Sequence, residues 1–342
     1  MAYTEIDDPT IYFNTKLYTG NNTGQSITGV GFQPDWVWIK SRTDTNSHNS
    51  WDSVRGVNKY LENDTTKVQT TVTNGVTAFG TDGFTVGDRD AINDNGLSLV
   101  SWNWKAGGSA SSNSNGSVTT SVSANTTAGF SVVNVPTTGS VLTAGHGLSQ
   151  APEIIFEKSK DRTDNWIVYN SSIGNTKALF LNLNNAASTA TDFWNDTSPT
   201  STVWTMGSEN SVNNASQETI AYCFHSVKGY SKISHFIGNG NTDGTFVYTG
   251  FRPAWVMIKR TDGANSWVIY DNKREGYNVD NDALQANGSN TEGTSDDIDL
   301  LSNGFKMRTS GVGENGDGST YLFMAFAEAP LVASNFVPTT AR

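Results

Sequence analysis

The strongest pattern in the chain is a run apolar on both alternating faces, entered through Gly-Phe-x-Pro and left through a lysine. It reads Gly31-Phe32-Gln33-Pro34-Asp35-Trp36-Val37-Trp38-Ile39-Lys40 and returns as Gly250-Phe251-Arg252-Pro253-Ala254-Trp255-Val256-Met257-Ile258-Lys259. A weaker copy, Gly147-Leu148-Ser149-Gln150-Ala151-Pro152-Glu153-Ile154-Ile155-Phe156-Glu157-Lys158, lies between them. Side chains alternate across a strand, so apolar residues on both faces predict an inner strand covered on each side. Before the first and third copies, Leu17-Tyr18-Thr19-Gly20-Asn21-Asn22-Thr23-Gly24 and Phe236-Ile237-Gly238-Asn239-Gly240-Asn241-Thr242-Asp243-Gly244 predict a strand and a Gly/Asn turn opening a hairpin. Further on, Asp82-Gly83-Phe84-Thr85-Val86 matches Asn303-Gly304-Phe305-Lys306-Met307, and each copy closes on an aromatic strand near 99–105, 219–225 and 321–326. Taken alone, 216–225 could form an amphipathic helix, but its counterparts Ser101-Trp102-Asn103-Trp104 and Phe323-Met324-Ala325-Phe326 make it a strand. A short helix is allowed around Asp282-Ala283-Leu284-Gln285-Ala286.

Length alone, at 342 residues, suggests two domains, but the repeat argues for three units of about 100 residues. They are placed at 1–107, 129–229 and 230–342, the last ending in a short tail after Pro330. Residues 108–128 carry no charge and are mostly Ser, Thr, Asn and Gly, which reads as a flexible linker, with Ser117-Val118-Thr119-Thr120-Ser121-Val122 able to add a strand. Charged residues make up only 16% of the chain, against about 25% in an average soluble protein. Thr, Val and aromatic residues suit strands, while 33 glycines with many Asn and Asp suit turns. The fold class expected is all-β, with three tandem β-sandwich or jelly-roll repeats.

The net charge of −11 repels phosphate backbones, which argues against nucleic acid as a partner. No window approaches 18 consecutive apolar residues, so membrane insertion is not expected. The first residues have neither the basic region nor the apolar run of a secretory signal. The single cysteine, Cys223, excludes an intrachain disulfide or thiolate metal cluster and reads as a small buried hydrophobe.

Catalytic patterns are missing. His48, His146, His225 and His235 fall in no hydrolase or metalloprotease spacing. Gly311-Val312-Gly313-Glu314-Asn315-Gly316 matches the dinucleotide fingerprint in letters but precedes a strand, so no helix N-terminus would receive a pyrophosphate. A glycosidase would need two carboxylates about 5–9 Å apart, and among 33 acidic residues no pair stands out. Oxygen ligands for calcium could come from Asp88-Arg89-Asp90 with Asn93-Asp94-Asn95, or from Asp296-Asp297-Ile298-Asp299, though neither has EF-hand spacing. An Arg-Thr-Asp triplet follows each Pro–Trp copy, giving Arg42 and Asp44, Arg162 and Asp164, and Arg260 and Asp262 as candidate ligand contacts. A turn in which Asp caps and Arg pairs with it explains the triplets without a ligand. Trp36, Trp255, Trp51, Trp166 and Trp267 recur in the copies and read as core. Trp194 has no counterpart, which makes it the clearest tryptophan candidate for sugar contact.

The segments 250–262, 238–244 and 323–330, with Ile6-Asp7-Asp8-Pro9 and Ser101-Trp102-Asn103-Trp104-Lys105-Ala106-Gly107, resemble a repeated domain of unknown function. That domain occurs in virion proteins of marine bacteriophages, cyanophages and pelagiphages among them. The resemblance spans essentially the whole chain. It implies sandwiches similar to the concanavalin-like lectins and glucanases, a location in the virion, and no transferable catalytic residue. The expected function is therefore a non-enzymatic tail or tail-fibre protein contacting host-surface glycan. Its expected partners are other virion proteins and copies of itself, a homotrimer being the common arrangement for such parts. The alternative is a purely architectural part: a capsid decoration, head fibre or tail connector.

Overall fold

The computed structural model describes residues 4–335 and 337–339, apart from the side chains of residues 281 and 295–297. Among them the helical pieces are Pro9–Ile11, Asp90–Asn93 and Thr191–Trp194, and the named strands all pair antiparallel. The chain is all-β.

The sequence copies take the same place in three large sheets. In each, a closing strand (Ser98–Trp104, Glu218–Phe224, Thr320–Pro330) lies between two neighbours. One is a leading strand: Phe13–Thr19, Phe130–Pro136 or Ser231–Ile237. The other is the Pro–Trp strand: Trp36–Ser41, Ile154–Ser159 or Phe251–Arg260. The register matches too, with Trp36 opposite Trp104, Ile154 opposite Phe224 and Trp255 opposite Phe326.

Strand alternation explains why the Pro–Trp strand is apolar on both faces. One face carries Trp36 and Trp38, Ile154 and Phe156, or Trp255 and Met257, and all six join one core cluster shared by the three sheets. The other face carries Val37 and Ile39, Ile155, or Val256 and Ile258, each set joining a separate outer cluster. The outer clusters are covered by smaller strands. Gln25–Thr28 and Gly83–Val86 pair over the first sheet, Leu142–Gly145 and Val203–Met206 over the second, and Phe246–Tyr248 and Gly304–Met307 over the third. Trp36 stacks on Trp104 and on Tyr222 of the second repeat at 4.5 and 4.3 Å, and Phe13 stacks on Phe326 of the third at 5.0 Å. The largest side chains of the molecule thus bond the repeats to one another.

The contacts close a ring. Trp166 Nε1 donates to the Glu62 carbonyl of the first repeat at 2.8 Å, and Trp267 Nε1 to the Phe180 carbonyl of the second at 2.8 Å. From the first repeat, His48 Nε2 meets the Gln285 carbonyl of the third at 3.0 Å. His48 Nδ1 accepts from Trp38 Nε1, so the proton sits on Nε2 and the ring is the neutral donor. Burial holds its pKa well below the usual histidine value. Trp36, Ile154 and Trp255 lie opposite Asp52, Asn170 and Asp271, which puts His48 at the position of Trp166 and Trp267. The spacing that equates Trp51 with those tryptophans is therefore corrected: Trp51 shares its register with Tyr169 and Tyr270.

Two local expectations change. Residues 108–128 are not a loose linker, because Ser111–Asn113 and Thr120–Asn125 are strands and the second pairs with Phe130–Pro136. Low charge does not prevent pairing, and buried Val122 joins the outer cluster of the second repeat. The helix allowed near 282–286 is instead the strand Asp280–Gln285, set by Leu284, which faces Ile269 and fills the shared core.

Candidate functional site

Trp194 is corrected first. It ends the helix Thr191–Trp194, is 1% exposed, and donates Nε1 to the Lys177 carbonyl at 3.0 Å while packing edge-on to Tyr169. A residue without a counterpart has filled a gap particular to the second repeat's core. It offers no face to a ligand.

The Arg-Thr-Asp triplets do not occupy one structural position. Lys40, Lys158 and Lys259 are equivalent in register, opposite Val100, Ile220 and Leu322. The triplets begin two, four and one residues after them. Arg162 Nε pairs with Asp164 at 2.6 Å and Arg260 Nε with Asp262 at 2.7 Å, within their own turns. Arg42 instead crosses to the third repeat and pairs with Asp282 at 3.1 Å and Glu292 at 2.6 Å. Asp44 accepts from the Thr45 amide at 2.6 Å, and its carbonyl takes the Lys40 ammonium at 3.0 Å. The three buried lysines bind backbone carbonyls, and burial lowers each pKa to about 8.

The calcium candidates differ in visibility. Asn93 is fully buried, and its Oδ1, the atom that could meet calcium, accepts from the Asn21 amide at 3.1 Å and Gln25 Nε2 at 2.6 Å. Asp296 and Asp297 lie outside the described side chains. Among the described residues no group of three His, Cys, Asp or Glu could hold a metal ion. Cys223 is buried, as expected, and burial pushes its thiol pKa well up.

Glu157 is the most unusual ionisable group. It stands on the Pro–Trp strand where the other repeats have Ile39 and Ile258, and lies wholly inside the second repeat. Trp204 Nε1 donates to Oε1 at 2.5 Å, while Oε2 has no partner. Desolvation raises its pKa to about 8, so the folded protein holds it protonated at neutral pH. A carboxyl with a raised folded pKa contributes stability at low pH that is lost as pH climbs from its ordinary value toward 8. Glu157→Gln is therefore expected to match the parent at pH 4 and to exceed it increasingly up to pH 8, by about 1.4 kcal/mol per pH unit in that window. Urea unfolding at pH 4, 6 and 8 measures this; a constant difference between the two proteins would refute it.

The site that the fold builds lies at the junction of repeats two and three. A cleft of about 640 Å³ is floored by Ser226, Gly229 and Ser231 of the connecting segment and walled by Glu153 on one side and Tyr248 and Thr249 on the other. Gly229 is required there: its φ is +79°, and a Cβ would meet Thr4 Oγ1 at 2.1 Å. Glu153 fixes the floor by accepting from the Ser226 amide at 2.6 Å and from its hydroxyl. Tyr248 of this lining is 47% exposed, as is Phe246 at 45% two residues before it on the same strand face, whereas Val247 between them points into the core. Lys232, also in the lining, donates to the Tyr248 carbonyl at 2.7 Å.

These residues are peculiar to the third repeat. Val247, Ile27 and Ala144 are equivalent, opposite Phe305, Phe84 and Trp204. Phe246 and Tyr248 therefore replace Ser26 and Thr28 of the first repeat, and Thr143 and Gly145 of the second. The corresponding junction of repeats one and two, about 420 Å³ around Asp35, Lys105 and Asn125, has no aromatic lining. The signal was present in the chain as Phe-Val-Tyr against Ser-Ile-Thr and Thr-Ala-Gly, one hairpin strand before the Pro–Trp run.

A family described as a domain of unknown function, DUF7483, matches residues 8–330. No curated protein matches the sequence. Among solved structures, the major capsid protein P2 of bacteriophage PM2 is matched at 12% identity and a TM-score of 0.20, over 58% of this chain and 97% of that one.

Proposed function

Since the chain belongs to the DUF7483 family, a domain of unknown function, we propose that it is a bacteriophage virion protein of the tail or tail fibre that contacts host-surface glycan. In this reading each repeat is a concanavalin-like, jelly-roll sandwich, and the third carries the contact. The observation that carries it is the exposed Phe246–Tyr248 pair, of which Tyr248 lines the polar cleft together with Glu153 and Ser226. Aromatic faces stack on the apolar faces of sugar rings, and convergent hydroxyl and amide groups at one end of such a platform set orientation. A single shallow site binds weakly, so copies on one particle, trimeric or otherwise, supply avidity. The architectural alternative draws on the same exposed aromatic pair, which would equally suit another virion protein.

Purified protein displayed multivalently on a glycan array should retain a subset of glycans. Phe246→Ala with Tyr248→Ala should weaken that binding about tenfold or more, from the stacking and area lost. Wild-type protein that binds no glycan at high avidity, or a double variant that binds undiminished, would favour the architectural role.

A further inference from the structure

We propose that the cleft beside Tyr248 selects glycans bearing carboxylate or sulfate groups, with Lys232 as their counter-charge. This inference rests on the glycan reading above and adds the chemical class. Lys232 is as specific to the third repeat as the aromatic pair: Ser231, Phe13 and Phe130 begin the three leading strands opposite Phe326, Trp104 and Phe224. The next residue is Lys232 in the third repeat but Asn14 in the first and Ser131 in the second. Cation and platform therefore occur together, in one copy of three.

The geometry gives the ammonium room to act. It has three N–H donors, one of which goes to the Tyr248 carbonyl at 2.7 Å. It has no ion pair among the described residues, unlike Lys67, Lys160 and Lys306. Its nitrogen lies over the Tyr248 ring, 5.5 Å from the centre, so a sugar packed on the ring beside the ammonium would present an acidic substituent to it. Burial lowers the Lys232 pKa, which marks a cation short of solvation that an anion would restore. Of the acidic groups lining the cleft, Glu153 is engaged by Ser226, and Glu5 lies exposed on the N-terminal segment. The chain as a whole carries −11, so attraction of a polyanion has to be local to the cleft, where Lys228 also stands in the lining and Lys232 is the lysine that meets the aromatic ring.

The test measures binding of the full chain to three immobilised polysaccharides: neutral dextran, the uronate polymer alginate and the sulfated galactan carrageenan, at low and high salt. At least one acidic polymer should bind about tenfold more tightly than dextran at low salt, and the preference should shrink with salt. Lys232→Gln should reduce it to near unity, whereas Lys232→Arg should keep it; matching thermal unfolding of both variants shows that the fold is intact. Equal binding of neutral and acidic polymers, or a preference unchanged in Lys232→Gln, would overturn the inference and leave the glycan reading standing. Failure to bind all three polymers would remove the charge selectivity. If the glycan array were also blank, the glycan reading itself would fall.

Discussion

Arg274→Met is expected to cost about 3–5 kcal/mol of folding stability, the range for breaking a buried ion pair from one side. Arg274 is fully buried as a side chain and binds Asp271 Oδ2 at 2.6 Å, Glu292 Oε1 at 2.8 Å and the Ile269 carbonyl at 2.8 Å. Asp271 Oδ2 also accepts from Trp102 Nε1 of the first repeat at 2.9 Å, so this cluster joins the third repeat to the first. Methionine would fill much of the volume but leave Asp271 unpaired within the joint. Removing both charges together in Asp271→Asn with Arg274→Met should cost less than the sum of the single changes, because no charge is then stranded. Denaturant unfolding of the two singles and the double measures this. A loss under about 1 kcal/mol in Arg274→Met would mean the joint relaxes to admit water.

Asn93→Ala is expected to cost about 2–4 kcal/mol, from several hydrogen bonds near 1 kcal/mol each and the buried groups left without partners. Its Nδ2 reaches the Thr23 and Gly87 carbonyls, and its Oδ1 accepts from the Asn21 amide at 3.1 Å and from Gln25 Nε2 at 2.6 Å. The same device recurs. Asn213 joins the Ser140 and Gly207 carbonyls to the Thr138 and Gly139 amides, and Asn315 joins the Asn241 and Thr309 carbonyls to the Asn239 amide. Each ties the turn after the leading strand to the loop before the closing strand. Asn315→Ala should therefore lose a similar amount, and equilibrium unfolding of both checks it. If Asn93→Ala proved neutral, bound water would have to replace the amide fully.

The Pro–Trp strand was legible because its alternation is complete, and burial on both faces followed from the letters alone. Closing strand 218–224 was legible only through its sisters, since its own letters also fit a helix. The shared core was not legible. Trp36 and Trp255 read as core of their own repeats, and nothing local says that Trp36 stacks on Tyr222 from another repeat. An aromatic without a counterpart points to Trp194 as readily as to Phe246 and Tyr248, because a buried and an exposed aromatic look alike without a register. Phe246 and Tyr248 become visible once Val247 is fixed as inward-facing. The three asparagines, in Ile92-Asn93-Asp94, Val212-Asn213-Asn214 and Glu314-Asn315-Gly316, lay in loops whose lengths differ, which hid their equivalence.

The three joints of the ring are chemically different. The first uses Asp52 and Arg55, with the Tyr222 hydroxyl donating to Asp52 at 2.7 Å, and the one between the third and first repeats uses Asp271, Arg274 and Trp102. At the matching place between repeats two and three stand Asn170 and Ile173, and the counterpart of Tyr222 and Trp102 is Met324. Near-copies of one domain at high local concentration could otherwise trade places between neighbouring chains. A borrowed repeat in the wrong slot would strand an arginine against methionine or leave an aspartate without its indole. The mismatch acts as an address on each repeat, so that three similar pieces assemble in one order and within one molecule.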